Sequence, residues 1–217
     1  TVRVTANNRV NAREKLLSRQ KPVKTIYGSG DVSVETTYTP VGQVPPLARV
    51  GMQLSMPGAF GQMEWYGRGS HESYWDRKEG ARVGRYAGKV TEQFFNHLMA
   101  QENGNKTDVR WVAVTNAGGA GLLAVGEPLL SVNVRDYTDE ALLRAKTTQE
   151  LTHGAATVVN LDHQQMGLGG DDSWSPRTHP EYQLPAKTYT YRFRLRFIDT
   201  AKTNPDEAAR APLPALK

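Results

Sequence analysis

A long loop, residues 160–182, carries the side chains of this sequence that are best suited to chemistry. Its glycines precede Asp171 and Asp172, and Ser173 and Trp174 follow directly. Neighbouring carboxylates are one way to bind a hard cation such as calcium, which takes several oxygen ligands. The spacing differs from an EF-hand loop, and aspartates in loops commonly accept hydrogen bonds from backbone amides. The sequence therefore predicts an ordered, functional loop without a metal site.

The four tryptophans fall into two groups. Trp65 and Trp111 occur within alternating patterns typical of strands and are predicted to lie in the core. Trp75 and Trp174 occur in loops, beside polar residues. Such a ring can stack against the apolar face of a sugar while its polar neighbours bind the hydroxyls. The alternative is a ring that folds back and anchors its own loop.

The order and content of several motifs resemble one known family. The stretch from Asp162 to Pro176, with its core Met-Gly-Leu-Gly-Gly-Asp-Asp-Ser-Trp-Ser-Pro, resembles the C-terminal domain of the large β-galactosidases of glycoside hydrolase family 2. This domain, domain 5, is also called the β-galactosidase small chain. The similarity runs from about Arg49 to Phe197. Upstream matches are Glu64-Trp-Tyr-Gly-Arg-Gly69, Glu72, Tyr74, Asp76-Arg77 and Gln101-Glu-Asn-Gly104.

The resemblance implies that this chain is one domain of a larger enzyme. Such enzymes hydrolyse terminal non-reducing β-D-galactosides with retention, and the resembled domain completes the active-site pocket with an aromatic sugar platform. Substrate contacts are therefore expected from Trp174, Asp172, Ser173 and Trp75. The implied partners are the catalytic barrel domain of the same enzyme, the galactoside substrate and further copies in a homo-oligomer. The family commonly uses Mg and Na in other domains, and no cofactor is expected in this segment.

One loop departs from the family pattern. The family usually has Glu-Asn-Tyr-Pro-Asp-Arg where this chain has Glu72-Ser-Tyr-Trp-Asp-Arg77, and a proline where this chain has Ser70. Trp75 is thus open to three interpretations: an additional sugar contact, a contact between subunits, or a ring buried against the sandwich.

No catalytic residue is predicted in this chain. Glycoside hydrolysis needs two carboxyl groups, roughly 5 Å apart in retaining enzymes. In the resembled family both are glutamates of the catalytic barrel domain, which is absent here. The carboxylates of this chain are therefore expected to hold loops in place by hydrogen bonds and to pair with arginines. The candidates considered are Glu64, Glu72, Asp76, Glu102, Asp162, Asp171, Asp172 and Glu181.

Two other functions remain as alternatives: a free-standing carbohydrate-binding module and a mutarotase-like epimerase. Mutarotases use a histidine and a glutamate as acid and base, which brings His71 and His163 into consideration. The sequences around these histidines do not resemble the mutarotase ones. No pair of histidines has the spacing of a zinc site. Structural or surface positions are therefore expected for all five histidines.

The composition excludes several classes of protein. The 217 residues contain no cysteine, which excludes disulfides and thiol chemistry. The formal net charge of +5 arises from dispersed lysines and arginines, without a nucleic-acid-binding motif. No apolar run approaches the length of a membrane-spanning helix. We expect a soluble protein, cytoplasmic or periplasmic, with neither nucleic-acid nor membrane partners.

The elements that position the loops are predicted to be strands. Apolar and polar residues alternate over 23–27 and 32–38 around the turn residues 28–31, as in a β-hairpin. Thr138 is a suitable N-cap for a single short helix over 141–145. Further strands are predicted at 50–57, 62–67, 82–90, 109–115, 121–125, 130–134, 157–161 and 187–197.

The strand at 187–197 has the clearest pattern. Strict alternation predicts one buried face and one more exposed face. The predicted buried residues are Tyr189, Tyr191, Phe193, Leu195 and Phe197, and the predicted exposed ones are Arg192, Arg194 and Arg196.

Together these elements predict an all-β fold, a large antiparallel β-sandwich (supersandwich) with at most one short helix. The resembled domain has such a fold, similar to galactose mutarotase. We expect a single domain over residues 1–200, lacking its first strands, in which residues 1–20 are poorly patterned. Residues 201–217 are expected to form a loose, polar, proline-rich tail.

Overall fold

A computed structural model describes residues 1–12, 15–154, 156–169, 171–172 and 178–215. Within these ranges the chain forms eleven strands and two short α-helices. The strands are β1 (Val2–Thr5), β2 (Asn8–Ala12), β3 (Lys15–Ile26), β4 (Asp31–Pro40), β5 (Arg49–Pro57), β6 (Gln62–Gly69), β7 (Arg82–Lys89), β8 (Lys106–Thr115), β9 (Ala120–Arg135), β10 (Ala156–Gln165) and β11 (Tyr189–Asp199). The helices are α1 (Asp139–Arg144) and α2 (Pro205–Arg210), and short 3₁₀ turns occupy Val90–Gln93, Thr148–Glu150 and Pro180–Tyr182.

The strands form an antiparallel sheet that folds over on itself at β9. The main path runs β1-β3-β4-β11-β9-β8-β6-β7, while β2 pairs with β3. Residues 120–127 of β9 pair with β11, and residues 131–135 pair with β10, which also pairs with β5. Because β9 pairs with β11 along its first half and with β10 along its second half, β10 and its partner β5 form a second layer. The Tyr191 hydroxyl donates to the Gly51 carbonyl at 2.9 Å and so joins β11 to β5.

The core lies between these layers, where the alternating strands direct their apolar side chains. Trp65 and Trp111 are both buried, as the strand patterns predicted. Trp65 belongs to the main core, and Trp111 belongs to a smaller cluster beneath α2. The main core also contains Val34, Val112, Val132, Val159, Leu161, Leu184, Tyr191 and Phe193.

Most predicted strands and the predicted helix are confirmed. The hairpin joins β3 to β4 through residues 27–30, with Ile26 opposite Val32. Thr138 caps α1 by accepting a hydrogen bond from the Ala141 amide. The strands β1 and β2 were missed within residues 1–20, because their side chains are largely exposed and lack an apolar face. In the described part of the chain, no helix combines the length and apolar character needed to cross a membrane.

The prediction for β11 is right for its first half and wrong at two positions of its second half. Tyr189, Tyr191 and Phe193 are buried. Arg194 is buried as well, whereas Phe197 is 69% exposed. The reason is that α2 covers the opposite face of the strand over its last residues.

The presence of α2 shows that two predictions were wrong. Part of the segment 201–217 is helical rather than a loose tail, and the described residues contain two short α-helices rather than at most one. Asn204 caps the helix through the Asp206 amide, and Pro205 occupies its first turn. Ala208 is buried in the cluster around Trp111. Arg194 donates to the carbonyl oxygens of Ala208, Ala209 and Ala211, which are orphaned at the end of the helix. The segment after β11 is therefore docked on the sheet.

We expect Arg194→Leu to lower the free energy of unfolding by about 1–3 kcal/mol, because the end of α2 loses its buried donor. Urea denaturation measures this loss. Arg192→Leu is the matched control, since Arg192 is 52% exposed and pairs with Glu35 at the surface, where such pairs contribute about 0–1 kcal/mol. Equal losses in the two variants would contradict the docking role of Arg194.

Candidate functional site

The loop after β10 is held at its base by contacts with two distant parts of the chain. The Met166 amide donates to the Ala48 carbonyl, and the Gly167 amide donates to the Tyr182 carbonyl, both at 2.9 Å. The second of these bonds closes the loop by joining its beginning to its end. The first attaches it to the start of β5.

Asp76 attaches the same loop to the segment between β6 and β7. Its Oδ2 accepts a hydrogen bond from the Gly169 amide at 2.6 Å. A Cβ placed on Gly167 would lie 2.7 Å from the Asp76 Cγ, so only glycine permits this approach. The close approach of Asp76 thus explains the glycine at position 167, and the Asp76-Arg77 motif and the glycine-rich motif meet in space.

Trp75 lies beside this junction. Its ring meets the Tyr182 ring edge to face, with centroids 6.0 Å apart. The side chain is half-buried and borders two cavities of about 260 and 520 Å³. Trp75 is therefore packed against the end of the loop, while part of its ring remains accessible.

Two of the four predicted substrate contacts lie outside the described residues. Ser173 and Trp174 belong to the segment 173–177, and Asp172 is the last described residue before it. On either side of this segment, His179 Nε2 and Asp171 Oδ1 are 2.6 Å apart. That hydrogen bond raises the pKa of His179. The hydrogen bond between His179 and Asp171 joins the two arms of the loop, as expected for an aspartate that holds its loop together.

The other candidate carboxylates mainly pair with cations or accept hydrogen bonds. Glu72 accepts from the Gly104 amide and from Arg77, both at 2.7 Å. It thereby joins the 70–77 segment to the Gln101–Gly104 motif. Glu64 accepts from Arg85 at 2.6 Å. Among the described residues, no three His, Cys, Asp or Glu side chains are grouped to hold a metal ion.

The histidines proposed for epimerase chemistry occupy different environments. His163 is half-buried and its ring stacks on that of Tyr191, with centroids 5.8 Å apart. Burial, with nearby Lys187, lowers its pKa. His71 is exposed at the rim of the larger Trp75 cavity. His71 shares that cavity with Glu72, whereas the described lining of the smaller cavity, which His163 borders, contains Asp108 but no glutamate.

A buried ionic cluster was not predicted from the sequence. Asp162 is 2% exposed, and its Oδ2 is 3.7 Å from Arg49 Nε. Arg49 also pairs with Glu102 at 3.2 Å, and Glu102 accepts a hydrogen bond from Asn133. Burial raises the pKa of Asp162 to about 7, with Arg49 opposing and Glu102 reinforcing the shift. The cluster connects the 101–104 motif with β5 and with the strand that leads into the loop.

The raised pKa of Asp162 predicts a specific pH dependence of stability. The folded chain keeps this proton where the unfolded chain, with a pKa of 3.8, has lost it. The contribution of this group therefore falls as pH rises from about 4 to about 7 and stays low above that range. We expect Asp162→Asn to gain on the order of 2–4 kcal/mol relative to wild type between pH 4.5 and 8.

Urea unfolding of both proteins across that range measures the difference. Asp199→Asn is the matched control, because Lys202 holds the pKa of Asp199 below its ordinary value. Its difference from wild type should therefore change slightly in the opposite direction. A flat difference for Asp162→Asn would contradict the raised pKa.

Comparison with known proteins shows which family and which relatives this chain matches. A family profile described as "Beta galactosidase small chain" matches residues 2–195. The chain is 41% identical over 173 residues to a β-galactosidase of Priestia megaterium and 39% identical over 171 residues to one of Vibrio cholerae. Each match covers 79% of this chain but only 17% and 16% of the relative.

A similarity is also found among solved structures. A putative aldose 1-epimerase from Escherichia coli K12 aligns with a TM-score of 0.42 and 11% sequence identity. The alignment covers 90% of this chain and 64% of that protein.

Proposed function

Since this chain belongs to the β-galactosidase small-chain family, we propose that it acts as one domain of a larger β-galactosidase. The observation that carries the proposal is the match of residues 2–195 to the family, together with relatives of which the chain covers only 16–17%. The proposed reaction of the whole enzyme is hydrolysis of terminal non-reducing β-D-galactosides with retention. The glutamates that break the bond belong to a separate catalytic barrel domain.

The proposed role of this domain is to complete the sugar-binding pocket through the loop after β10. Trp174 provides the platform on which the galactose ring stacks, and Asp172, Ser173 and Trp75 contact the substrate around it. Support comes from the loop base, where hydrogen bonds to Gly167 and Gly169 and the Trp75–Tyr182 contact hold both arms. A base fixed in this way keeps the geometry needed to orient a substrate.

The proposed partners are the catalytic barrel of the same enzyme and further copies in a homo-oligomer. We propose no cofactor for this segment, and we propose that the whole enzyme uses Mg and Na in other domains. Support for a covering partner comes from large apolar side chains that are 51–85% exposed. The isolated bridge between Met99 and Thr147 brings the segment 95–99 towards the end of α1, and grouped apolar exposure of this kind exceeds the scattered exposure normal for a surface. These side chains are Phe95, Leu98, Met99 and Leu143.

An assay of the chain by itself tests the proposal that the catalytic glutamates belong to another domain. We expect no release of product from a chromogenic β-galactoside, because no catalytic carboxylate pair is assigned to this domain. A complete β-galactosidase serves as the positive control. Turnover by the pure chain that disappears on changing Glu72, Glu102 or Asp172 would contradict the proposal, since the domain would then carry its own catalytic pair.

A further inference from the structure

Trp75 lies between two open cavities beside the loop after β10. The cavities of about 260 and 520 Å³ are both lined by Trp75 and Lys78, so these two side chains separate them. Tyr182 lines the larger cavity, and the smaller one reaches Gln165 at the end of β10. The larger volume is within the range of small-molecule sites. A ligand in either cavity would therefore lie against Trp75, next to the base of the loop.

The backbone around Trp75 forms a tight turn that does not need an indole ring. Tyr74 and Arg77 are paired, and the Arg77 amide donates to the Tyr74 carbonyl at 3.0 Å. Trp75 is the first of the two central residues, and neither it nor Asp76 has a positive φ. Proline is favoured at this position of such turns, and the Trp75 amide donates no backbone hydrogen bond to the described residues. The turn itself therefore does not explain the large ring.

The charged side chains around Trp75 favour an uncharged ligand. Lys78 pairs with Asp108 at 3.2 Å, and Arg77 pairs with Glu72 at 2.7 Å. A charged ligand would compete with these pairs, whereas hydroxyls both donate and accept and can add to them. Arg77 and Glu79 line the larger cavity, and their side chains are 50% and 89% exposed. A guanidinium donor and a carboxylate acceptor are therefore accessible to a ligand hydroxyl beside the ring.

We propose that Trp75 is a specificity-determining residue, which contacts the leaving group of the galactoside and favours an uncharged ring with hydroxyls there. This inference rests on the proposed function, in which Trp174 holds the galactose ring. Galactose is common to all β-D-galactosides, so a contact that distinguishes among them must fall on the leaving group. The half-buried Trp75 ring is fixed by Tyr182 beside the base of the loop, so it can stack on such a group without prior ordering.

The experiment uses a complete β-galactosidase that carries this domain and compares lactose, whose leaving group is a glucose ring, with methyl β-D-galactoside. Galactose release measures kcat/KM for both. Trp75→Pro removes the ring and suits the turn. Covering part of one indole face removes roughly 25–50 Å² of apolar surface from water, which corresponds to about three- to eightfold in transition-state binding. We expect kcat/KM to fall more for lactose than for methyl galactoside by this factor. Trp75→Ala should show the same selectivity and carries the test if the proline variant does not fold, and Trp75→Phe should restore most of the preference for lactose.

Two further variants separate this role from the proposed function. Phe197→Ala removes a 69% exposed aromatic ring outside the site and should change neither substrate. Trp174→Ala should lower kcat/KM for both substrates by similar factors, because both contain galactose. Equal losses for the two substrates in Trp75→Pro and Trp75→Ala, or no loss for either, would overturn the leaving-group role and leave that of Trp174 standing. A selective loss in the Trp75 variants with no effect of Trp174→Ala would support the leaving-group role and contradict the platform role of Trp174.

Discussion

In a complete β-galactosidase that carries this domain, we expect Trp174→Ala to raise the Michaelis constant about ten- to a hundredfold. Stacking a sugar on one face of an indole removes on the order of 50–100 Å² of apolar surface from water, worth roughly 1–3 kcal/mol. Each 1.4 kcal/mol corresponds to about a factor of ten in affinity. The effect should fall chiefly on substrate binding, and steady-state kinetics with a chromogenic galactoside measures it.

Thermal melting of the same variant separates a binding role from a structural one. An exposed platform contributes little to the core, so the melting temperature should change little. Phe197→Ala is a suitable control, because Phe197 is a 69% exposed aromatic residue of β11, outside the proposed site. It should leave both affinity and melting close to wild type. A sharp drop in melting with unchanged affinity in Trp174→Ala would identify Trp174 as an anchor of its own loop.

A large loss of stability is expected for Gly51→Ala. A Cβ on Gly51 would lie 2.2 Å from Asp162 Oδ1 and 2.5 Å from the Asp162 Cα. Gly51 and Asp162 are opposite each other in the β5–β10 pairing, so the backbone of one strand must move. We expect the free energy of unfolding to fall by about 3 kcal/mol or more, as in overpacked cores. Urea denaturation measures this change.

Gly61→Ala provides the control, because the nearest atom to its Cβ would be 3.8 Å away, at the Gly58 carbonyl. Its effect should remain within about 0.5 kcal/mol. If Gly51→Ala were as stable as Gly61→Ala, the close packing of β5 against β10 at Asp162 would be wrong.

The strands that alternate between an apolar and a polar face were predictable from the sequence. The β3–β4 hairpin combines such alternation with the turn residues 28–31, and the structure has strands where the pattern placed them. Alternation is a weaker signal where both faces of a strand are exposed to solvent, which is why β1 was not predicted. It also fails where a later segment covers the polar face. Arg194 has the pattern of an exposed residue and is buried because α2 packs over it.

The candidate site was predictable only in part. The loop after β10 is recognisable from its glycines, its aspartates and Trp174. Each of these residue types indicates a loop or a contact residue from the local sequence alone. The contacts that hold it are not local: Asp76 is 93 residues from Gly169. Similarly, Arg49 meets Glu102 and Asp162 through the pairing of strands distant in sequence. Such pairings depend on strand register, which the alternation of single strands does not specify.

The most direct test of the central claim is the position of the Trp174 ring in a complete β-galactosidase with a galactoside bound. The claim is that this domain completes the sugar pocket of a larger enzyme. A crystal structure of that complex should show the indole within about 4.5 Å of the galactose ring, in van der Waals contact, at the mouth of the catalytic barrel. A ring packed into its own sandwich, with the sugar in contact only with other domains, would contradict the account.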